Sequence, residues 1–276
     1  MELDEYRRMA AVEDEMWFYR ALHSHLERAL VAGLGKTAAP QAPKPDEAKG
    51  GPIRILDAGC GTGGLIRRLG QRHANWQWTG VDVEPLACEF ARSRCAADIV
   101  QGSLLALPFA DDTFAAAVCS DVLYHLDDDA AALREILRVL KPGGVLVINV
   151  PAHPWLWSYH DVTVHGRRRY TRPALARTVE NVGFAIERST HWNALPLPLV
   201  IVRRKLLPAP ASGSDVQLYP KPVEAMFRCG TALERWWLNS VGSLPCGSSI
   251  LATVRKPNSV GRLAPGLVGA RNRGDA

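Results

Sequence analysis

The chain has 276 residues, 47% of them hydrophobic, which is enough to bury one sizeable core. Its longest apolar run, LPLPLVIV at 195–202, contains two prolines and is too short to cross a bilayer, so the sequence predicts no transmembrane helix. The N-terminus lacks the basic and apolar segments of a secretory signal, which favours a cytoplasmic location. Six cysteines without C-x-x-C spacing argue against structural zinc and a disulfide framework.

The charge is distributed unevenly along the chain. Residues 1–150 contain 16 Lys and Arg against 21 Asp and Glu, a net charge of −5, whereas residues 151–276 contain 17 against 7, a net charge of +10. This asymmetry predicts that the second half meets an anionic partner, which is a phosphorylated small molecule, nucleic acid or a membrane surface. The alternative is a basic surface that only aids solubility.

The first 51 residues divide into a helical and an irregular segment. Apolar residues recur at helical spacing between Glu5 and Leu34, and Gly33 and Gly35 supply stop signals, so the pattern predicts one long helix or two short ones. Residues 36–51 are rich in Pro, Ala, Lys and Gly without periodicity, which is typical of a flexible linker.

Strand patterns alternate with helix patterns from residue 53 to residue 150. The predicted strands are IRILDAG, WQWTGVDVE, DIVQGS, FAAAVCSDV and VLVINV, and the helices between them begin near Gly63, Pro85 and Asp127. Such alternation predicts an α/β fold, with a parallel sheet covered by helices on both faces.

The pattern becomes less regular after residue 151. A helix is predicted over 172–184, with Thr171 as its N-terminal cap and Gly183 at its end, and the strand AIERST follows it. Residues 194–244 contain two helical segments around a loop rich in Pro, Ala, Ser and Gly. The segment 245–256 contains the last strand, and 257–276 is predicted to be a disordered tail.

The most specific motif is ILDAGCGTGG at 55–64, a strand that ends in an acid and three glycines. Glycines after a strand allow a tight turn and a close approach of the backbone to a ligand, although an ordinary tight turn is the alternative. A second strand ends at Asp82, about twenty residues after the glycines, where a carboxylate can accept hydrogen bonds from both hydroxyls of a ribose.

Together with LPFADDTFAAAVCSDVLYHL and LRVLKPGGVLVI, these residues resemble the class I S-adenosylmethionine-dependent methyltransferase family, strongly over 53–150 and loosely over 151–190. The D-x-G-x-G form is more similar to this family than to the G-x-G-x-x-G of nicotinamide dinucleotide enzymes, which is the alternative. The resemblance implies S-adenosylmethionine as cofactor. It also implies a Rossmann-like, mostly parallel seven-stranded sheet, with a methyltransferase core at 52–193, an N-terminal helical lid at 1–35 and a helical insertion before the last strand.

The resemblance also implies positions for the cofactor. Asp57 and the backbone of the glycine turn would lie beside the methionine part, Asp82 would bind the ribose, and Val83 would line the adenine. Many relatives carry an acid where Ser103 stands, and a serine accepts the hydrogen bond from the adenine amine more weakly. The implied cofactor-binding residues are Tyr19, Arg20, Asp57, Gly59, Cys60, Gly61, Asp82, Val83, Ser103, Leu104 and Ser120.

The acceptor site is expected after the fourth and fifth strands, at the edge where open α/β sheets bind ligands. The stretch VPAHPWLWSYHDVTVHGRRRYTR interleaves aromatic, acidic and basic groups, although each residue alone has a packed loop as its alternative. The candidate catalytic residues are Asp161, His160, His165 and His125, the last following Ser120 and Asp121 and having a core or capping histidine as its alternative.

Arginine forks suit phosphate or carboxylate groups, so the arginines of this stretch and of RRK at 203–205 are candidates for an anionic substrate. Their alternative partners are the acids of the N-terminal helix at 13–15. The candidate substrate-binding residues are Trp17, Tyr124, His153, Trp157, Arg167, Arg168, Arg169, Tyr170, Trp192 and Arg204.

The expected function is methylation of a small amphiphile with an anionic group, because residues 194–244 supply an apolar cover beside the arginines. The narrowest hypothesis is C-methylation of a prenyl diphosphate, and the alternative is O- or N-methylation of an aromatic or acidic natural product. Alternatives of other classes are a nucleic-acid methyltransferase and a non-catalytic or membrane-surface protein that uses RRKLL. No metal ligation by the protein is expected, although a phosphorylated substrate can bring Mg²⁺.

Overall fold

The computed structural model describes residues 3–37, 51–209 and 215–258. The strands found in these ranges form a single sheet with the order β3-β2-β1-β4-β5-β7-β6. They are β1 (Ile53–Ala58), β2 (Trp76–Asp82), β3 (Asp98–Gln101), β4 (Phe114–Ser120), β5 (Leu140–Pro151), β6 (Ala185–Trp192) and β7 (Ser249–Arg255). Strands β1 to β5 pair in parallel, whereas β7 lies antiparallel to both β5 and β6. The predicted seven-stranded, mostly parallel sheet is therefore confirmed.

Helices cover both faces of the sheet. Leu22 and Leu30 of one helix pack in a buried cluster with Ile55, whereas Leu56, the next residue of β1, points to the opposite cluster with Leu133. This alternation is expected for a strand that is buried on both faces. The helices of the described ranges are α1 (Leu3–Val12), α2 (Trp17–Thr37), α3 (Gly64–Gly70), α4 (Pro85–Arg94), α5 (Asp129–Val139), α6 (Tyr159–Thr163), α7 (Arg172–Val182), α8 (Leu197–Ile201) and α9 (Lys221–Ser240).

The N-terminal region forms two helices. The longer helix, α2, belongs to the core, because Leu22, Leu26 and Leu30 along its length are almost fully buried against the sheet. Helix α1 and the N-terminal half of α2 lie at the open edge of the sheet. A lid over residues 1–35 stays a prediction, and the apolar stripe of α2 also covers the sheet.

The segment between β6 and β7 contains α8, a π-helical turn at Val202–Leu206 and α9, as the predicted insertion requires. We refer to residues 194–244 as the capping segment. Two local features differ from the sequence pattern: KPGG at 141–144 lies within β5, and the short helix α6 follows it in a stretch without helical periodicity. Helix α7 begins after the Thr171 cap and ends at Gly183, as predicted.

Some sequence-based expectations fall outside the described residues, namely most of the linker at 36–51, the loop residues 210–214 and the tail beyond residue 258. Among the described helices, none combines the length and the apolar character that a membrane span requires.

Candidate active site

A cavity of about 710 Å³ opens at the edge of the sheet where the parallel strands end. The final residues of four strands line it: Asp57 near the end of β1, Asp82 of β2, Ser120 of β4 and Pro151 of β5. Helices α1 and α2 close one side, and α6 and the capping segment close the other. Its position is the one at which open α/β sheets bind ligands.

The glycine turn after β1 requires glycine for geometric reasons. Gly59, Gly61 and Gly63 have φ angles of 89°, 51° and 81°, which side chains of L-residues rarely adopt. A Cβ atom on Gly59 would lie 2.2 Å from Cγ2 of Val122. The turn therefore presents bare backbone to the cavity and leaves room there for a ligand.

Asp82 is held in place by the same turn. Its Oδ2 accepts a hydrogen bond from the backbone N–H of Gly61 at 2.9 Å, and its Oδ1 accepts one from the N–H of Glu84 at 3.0 Å. Burial raises the pKa of Asp82, although these two N–H groups oppose the change. The oriented carboxylate lines the cavity and retains lone pairs for a diol.

Three further acids surround the glycine turn. Asp57 is buried, and this burial, with the charges of Asp82 and Glu13, raises the pKa of Asp57 to about 7. Glu13, from the turn between α1 and α2, accepts a hydrogen bond from Thr62 Oγ1 at 2.6 Å and forms an ion pair with Arg94. Burial raises the pKa of Asp121, at the end of β4, to about 7 as well.

We call this region the glycine-loop side, formed by α1, the turn after β1, and the ends of β2 and β4. Five acids line it and no lysine or arginine of the described residues does: Glu5, Glu13, Asp57, Asp82 and Asp121. Because buried acids with raised pKa values ionise more readily beside a positive charge, the arrangement suits a ligand that carries both a cationic group and a diol.

The opposite side, formed by α6, the loop to α7 and the capping segment, is the capping side. Asp161 and Arg169 form its buried ion pair, with Arg169 Nε donating to Oδ1 at 2.8 Å and Nη2 donating to Oδ2 at 3.0 Å. The backbone N–H of Ser158 also donates to Oδ2, at 2.9 Å. Since the Asp161 carboxylate is engaged on both oxygens, its position favours a structural role over that of a base.

Three candidate histidines line this side of the cavity. Burial lowers the pKa of His125 and of His160 to about 4, so both rings are neutral at neutral pH. His125 Nδ1 lies 3.2 Å from the carbonyl oxygen of His165, which places the proton on that nitrogen. His160 Nδ1 accepts a long hydrogen bond, of 3.5 Å, from the backbone N–H of Asp215.

The arginines of the capping side are largely neutralised within the protein. Arg204 Nε donates to Asp215 at 2.8 Å, and Tyr159 donates to the same carboxylate at 2.7 Å. Although burial alone would raise it, the charge of Arg204 holds the pKa of Asp215 below its usual value. Arg167 pairs with an exposed aspartate, Asp127, at 2.9 Å.

Arg203 differs from these arginines. Its Nη1 donates a hydrogen bond to the carbonyl of Pro208 at 2.8 Å, and its guanidinium lies 5.5 Å from the centre of the Tyr159 ring. Among the described arginines that line the cavity, it is the one without a carboxylate partner.

The arginines at 167–169 pair with acids close to them in the fold and not with those of the N-terminal region. Their partners are Asp127, Asp129 and Asp161, whereas Glu13 and Asp14 of the N-terminal region pair with Arg94 and Arg67. The alternative in which the N-terminal acids neutralise the arginine stretch is therefore wrong, because α1 lies over the glycine turn on the other side of the cavity.

The cavity brings together seventeen of the sequence-predicted site residues. On the glycine-loop side these are Asp57, Gly59, Cys60, Gly61, Asp82, Val83, Ser120 and Tyr19. On the capping side and its margin they are Trp17, Tyr124, His125, His160, Asp161, His165, Arg167, Arg169 and Arg204, with Tyr19 and Trp17 both contributed by the start of α2.

Three candidate cofactor residues lie outside the cavity lining. Ser103 Oγ accepts a hydrogen bond from the N–H of Leu105 at 3.1 Å, and Leu104 is buried in the core. Arg20 projects from α2 beside Arg68 rather than into the cavity. Val83, by contrast, lines the cavity and is 67% exposed.

Five candidate substrate residues also lie outside the lining and have structural partners. Tyr170 donates to Asp129 at 2.6 Å, and Trp192 Nε1 donates to Asn149 at 2.7 Å deep in the core. The other three are Arg168, which donates to two backbone carbonyls, His153, which stacks on the His191 ring, and Trp157, whose carbonyl accepts from Lys205.

Sequence reasoning missed several residues that line the cavity. Glu13 and Asp121 had a weak signal, since both are acids beside apolar residues, and Asp121 directly follows a strand. Tyr219 had none, because it reaches the cavity only through the fold of the capping segment. Phe227 was expected only as part of the apolar cover, and its ring stacks on Trp17 at 4.6 Å across 210 positions of sequence.

Comparison with known proteins places this site in a family context. Residues 56–148 match the sequence model of a family described as "Methyltransferase domain". The chain is 30% identical over 149 residues to 2-methyl-6-phytyl-1,4-hydroquinone methyltransferase 1, chloroplastic, of Oryza sativa subsp. japonica, an alignment that covers 52% of this chain and 45% of that protein. The chain spans about half the length of the curated relatives it matches.

Two solved structures show the same fold at low sequence identity. One is the [4+2]-cyclase SpnF, with a TM-score of 0.52 and 22% identity, covering 82% of this chain and 80% of that one. The other is geranyl diphosphate methyltransferase in complex with GPP and sinefungin, with a TM-score of 0.52 and 18% identity, covering 84% and 78%. The match to a methyltransferase domain and this sheet order, with the glycine turn at its edge, support the resemblance to the class I S-adenosylmethionine-dependent methyltransferase family.

Proposed function

We propose that this protein transfers a methyl group from S-adenosylmethionine to a small amphiphilic acceptor. The observation that carries the proposal is the single cavity in which an acidic glycine turn faces a chamber of neutral histidines, aromatic rings and apolar side chains. Fold alone would not suffice, since one neighbour of the same fold is named as a cyclase. The pairing of these two sides is what supports methyl transfer.

The residues of the glycine-loop side fit the cofactor. Asp82 would accept hydrogen bonds from the ribose, the bare backbone of Gly59 and Gly61 would admit the methionine part, and Asp57 would compensate its ammonium group. S-Adenosylmethionine supplies an electrophilic methyl group on a sulfonium. The chain therefore has to align the acceptor with that methyl group, exclude water and remove a proton where the acceptor carries one.

Asp121 is the strongest candidate for the proton acceptor. It lines the cavity at the end of β4, with its φ angle at 54° and its Oδ2 held by Asn149 at 2.9 Å. A carboxylate with a pKa of about 7 is matched to proton transfer at neutral pH. The neutral rings of His125 and His160 are the second candidates, and His165 is the third.

The acceptor side supports an amphiphile. Leu199, Val200, Met226 and Phe227 of the capping segment supply an apolar wall, and Arg203 supplies one cation without a carboxylate partner. One such cation suits a head group with a single negative charge or a phenol better than a diphosphate, which needs several charges neutralised. The narrower hypothesis of a prenyl diphosphate thus requires Arg204 or Arg169 to exchange an internal partner for the substrate.

Within the described residues, no group of three or more His, Cys, Asp or Glu side chains is placed to hold a metal ion. If a diphosphate is the acceptor, Mg²⁺ would accompany it on the phosphate oxygens rather than on a protein site. Addition of EDTA to the methyl-transfer assay separates the two cases, because only a Mg²⁺-diphosphate acceptor would lose activity.

The proposal is tested in two steps. Isothermal titration with S-adenosylmethionine and S-adenosylhomocysteine is expected to show binding of both, and absence of binding would exclude the function. Labelled S-adenosylmethionine is then incubated with three acceptor classes, namely prenylated phenols, long-chain acids and prenyl diphosphates, and the products are identified by mass. Transfer only to nucleic acid would overturn the small-molecule assignment.

Asp121 and His160, two of the candidate proton acceptors, are distinguished by substitution. Asp121→Asn should lower kcat by about 100-fold, in the range of general-base catalysis, while cofactor affinity changes less. The matched control is Glu89→Gln, an exposed carboxylate outside the cavity lining. If His160→Gln lowers kcat and Asp121→Asn does not, the histidine is the base.

A further inference from the structure

Helix α9 presents its side chains in an unusual direction. Its buried residues are largely polar, with Glu224, Thr231 and Glu234 at 8%, 5% and 3% exposure. Its exposed residues include four large apolar side chains, Met226, Leu233, Trp236 and Trp237, which retain between 45% and 61% of their surface. A surface helix normally shows the opposite distribution.

The buried carboxylates explain this orientation. Glu224 accepts hydrogen bonds from the backbone N–H of Trp17, at the first turn of α2, and from that of Tyr219. Glu234 accepts from the N–H groups of Asn193 and Ala194, which follow β6. These bonds fix which face of α9 is turned inward, so the side chains of Leu233, Trp236 and Trp237 point away from the protein.

The exposed apolar residues continue onto the neighbouring segment. Leu195 lies against α9, since its side chain is 3.9 Å from the position of a Cβ on Gly230. Leu195 and Leu199 are 52% and 50% exposed. We call the surface formed by Leu195, Leu199, Met226, Leu233, Trp236 and Trp237 the tryptophan face. Leu199 and Met226 also line the cavity, so the cavity opens at this face.

The charges of the capping segment are arranged to favour an anionic partner. Residues 194–244 contain six Lys and Arg against three acids. All three acids are withdrawn from solvent, because Glu224 and Glu234 are buried and Asp215 is paired with Arg204. Lys205, Lys221 and Arg228 remain exposed. The charge that this segment presents to solvent is therefore positive.

We infer that the tryptophan face docks onto the surface of a bilayer that contains anionic lipids. Exposed tryptophans flanked by cations match the interface between lipid head groups and acyl chains, where amphipathic helices lie in the membrane plane. Docking in this orientation places the mouth of the cavity, at Leu199 and Met226, against the lipid. An amphiphilic acceptor could then enter the cavity from the bilayer without crossing water.

Flotation tests this inference with vesicles of pure phosphatidylcholine and of phosphatidylcholine mixed with phosphatidylglycerol. The full chain should float with the anionic vesicles, and raised salt should weaken the binding. Replacing both tryptophans, Trp236→Ser with Trp237→Ser, should weaken it at least about tenfold. The double charge reversal Lys221→Glu with Arg228→Glu should weaken it at least about twentyfold.

Matched variants elsewhere on the surface provide the controls. Leu105→Ser removes an apolar side chain that is 48% exposed after β3, at the other edge of the sheet. Lys141→Glu with Arg177→Glu reverses two exposed charges outside the capping segment. Both controls should float as the wild type does, and equal losses in test and control variants would contradict a specific docking face.

Two further outcomes would overturn the inference. One is a wild-type protein that remains unbound with both vesicle types. The other is a concentration-dependent dimer, seen by light scattering, that the tryptophan substitutions dissociate, because a second copy would then cover the face. The flotation assay contains no methyl donor, so its failure and the failure of the proposed methyl transfer are distinguishable.

Discussion

The two sides of the cavity carry opposite charges, and these charges differ in how far they are paired within the protein. On the glycine-loop side, Asp57 and Asp121 are acids with pKa values raised to about 7, and the lining there contains no lysine or arginine of the described residues. On the capping side, Arg169 and Arg204 are already neutralised by Asp161 and Asp215. The first side therefore holds two buried acids whose ionised form a cationic ligand would favour, whereas on the second side Arg203 is the one lining arginine of the described residues without a carboxylate partner.

This difference indicates how the two ligands would be selected. A cofactor with an ammonium and a sulfonium group would be recognised by charge, because it completes the acidic side. An acceptor would be recognised mainly by the shape and apolar character of its chamber, with one arginine left for a head group. The following predictions test whether the capping-side ion pairs are structural and whether the glycine-loop acids serve binding.

The largest effect is expected on the capping side. Arg169→Met leaves the buried Asp161 carboxylate without its partner, which should lower the free energy of unfolding by about 3–5 kcal/mol. Urea denaturation measures the loss, and Arg177→Met, at an exposed position of α7, is the control with little effect. A stable Arg169→Met protein that fails only in acceptor binding would show instead that Arg169 serves the substrate.

A smaller loss is expected in the glycine turn. Gly59→Ala places a methyl group 2.2 Å from Val122 at a φ of 89°, so we expect a loss of unfolding free energy of at least about 2 kcal/mol. The same substitution should also lower the affinity for S-adenosylhomocysteine. Gly35→Ala in α2 is the control, because a Cβ there meets nothing within 4 Å, and it should be neutral or stabilising by up to about 1 kcal/mol.

The next largest effect is expected at Asp82, the residue proposed to bind the ribose. Asp82→Asn removes a charged acceptor, which should weaken S-adenosylhomocysteine binding by about 10- to 100-fold in calorimetry while the fold is retained. Glu89→Gln, an exposed carboxylate on α4, is the matched control. Unchanged affinity in Asp82→Asn would mean that the cofactor does not use the end of β2.

Two arginines of the capping segment line the cavity, Arg203 and Arg204, and their substitutions should have different effects. Arg203→Gln is expected to raise the KM for an anionic acceptor by about tenfold, with cofactor affinity and stability unchanged, because Arg203 has no carboxylate partner. Arg204→Gln should instead lower stability, since Asp215 loses its ion pair. If Arg204→Gln also raises KM selectively, the pair with Asp215 opens for substrate.

The smallest effect is a pH dependence. The raised pKa of Asp57, about 7 against an ordinary value near 4, means that its contribution to stability is lost as pH rises through 7 in the free protein. A cationic ligand favours the ionised form, so S-adenosylmethionine affinity should rise by up to about tenfold from pH 6 to pH 8, with proton release.

Calorimetry in buffers of different ionisation enthalpy measures the protons released. Asp57→Asn should reduce both the release and the slope of affinity against pH, leaving any share that belongs to Asp121. A slope of the opposite sign would contradict the assignment of the acidic side to the cofactor.

Much of the fold could be predicted from sequence because its signals are local. The alternation of Ile55 and Leu56 between the two faces of β1, the Thr171 cap and the Gly183 stop all act within a few residues. The glycine turn could be predicted for the same reason, since the backbone conformation at Gly59 depends on the absence of its own side chain. The resemblance to the family then supplied the roles expected of Asp57 and Asp82.

Other assignments depended on partners far away in the chain. The arginine stretch at 167–169 has the composition of an anion site, yet Arg168 is bound by the backbone carbonyls of Leu126 and Asp127, and Arg169 by Asp161. Composition cannot distinguish a free guanidinium from a paired one, because the distinction is a distance of a few ångströms to a carboxylate.

The sequence by itself therefore determined the sheet, its glycine turn and the acids that end β1 and β2, because periodicity and backbone conformation are encoded by neighbouring residues. Only the tertiary structure decided which charges remain available to a ligand and which face of α9 meets solvent. Both depend on contacts across the chain, such as those of Glu224 with Trp17 and of Arg204 with Asp215, which are set when the elements pack together.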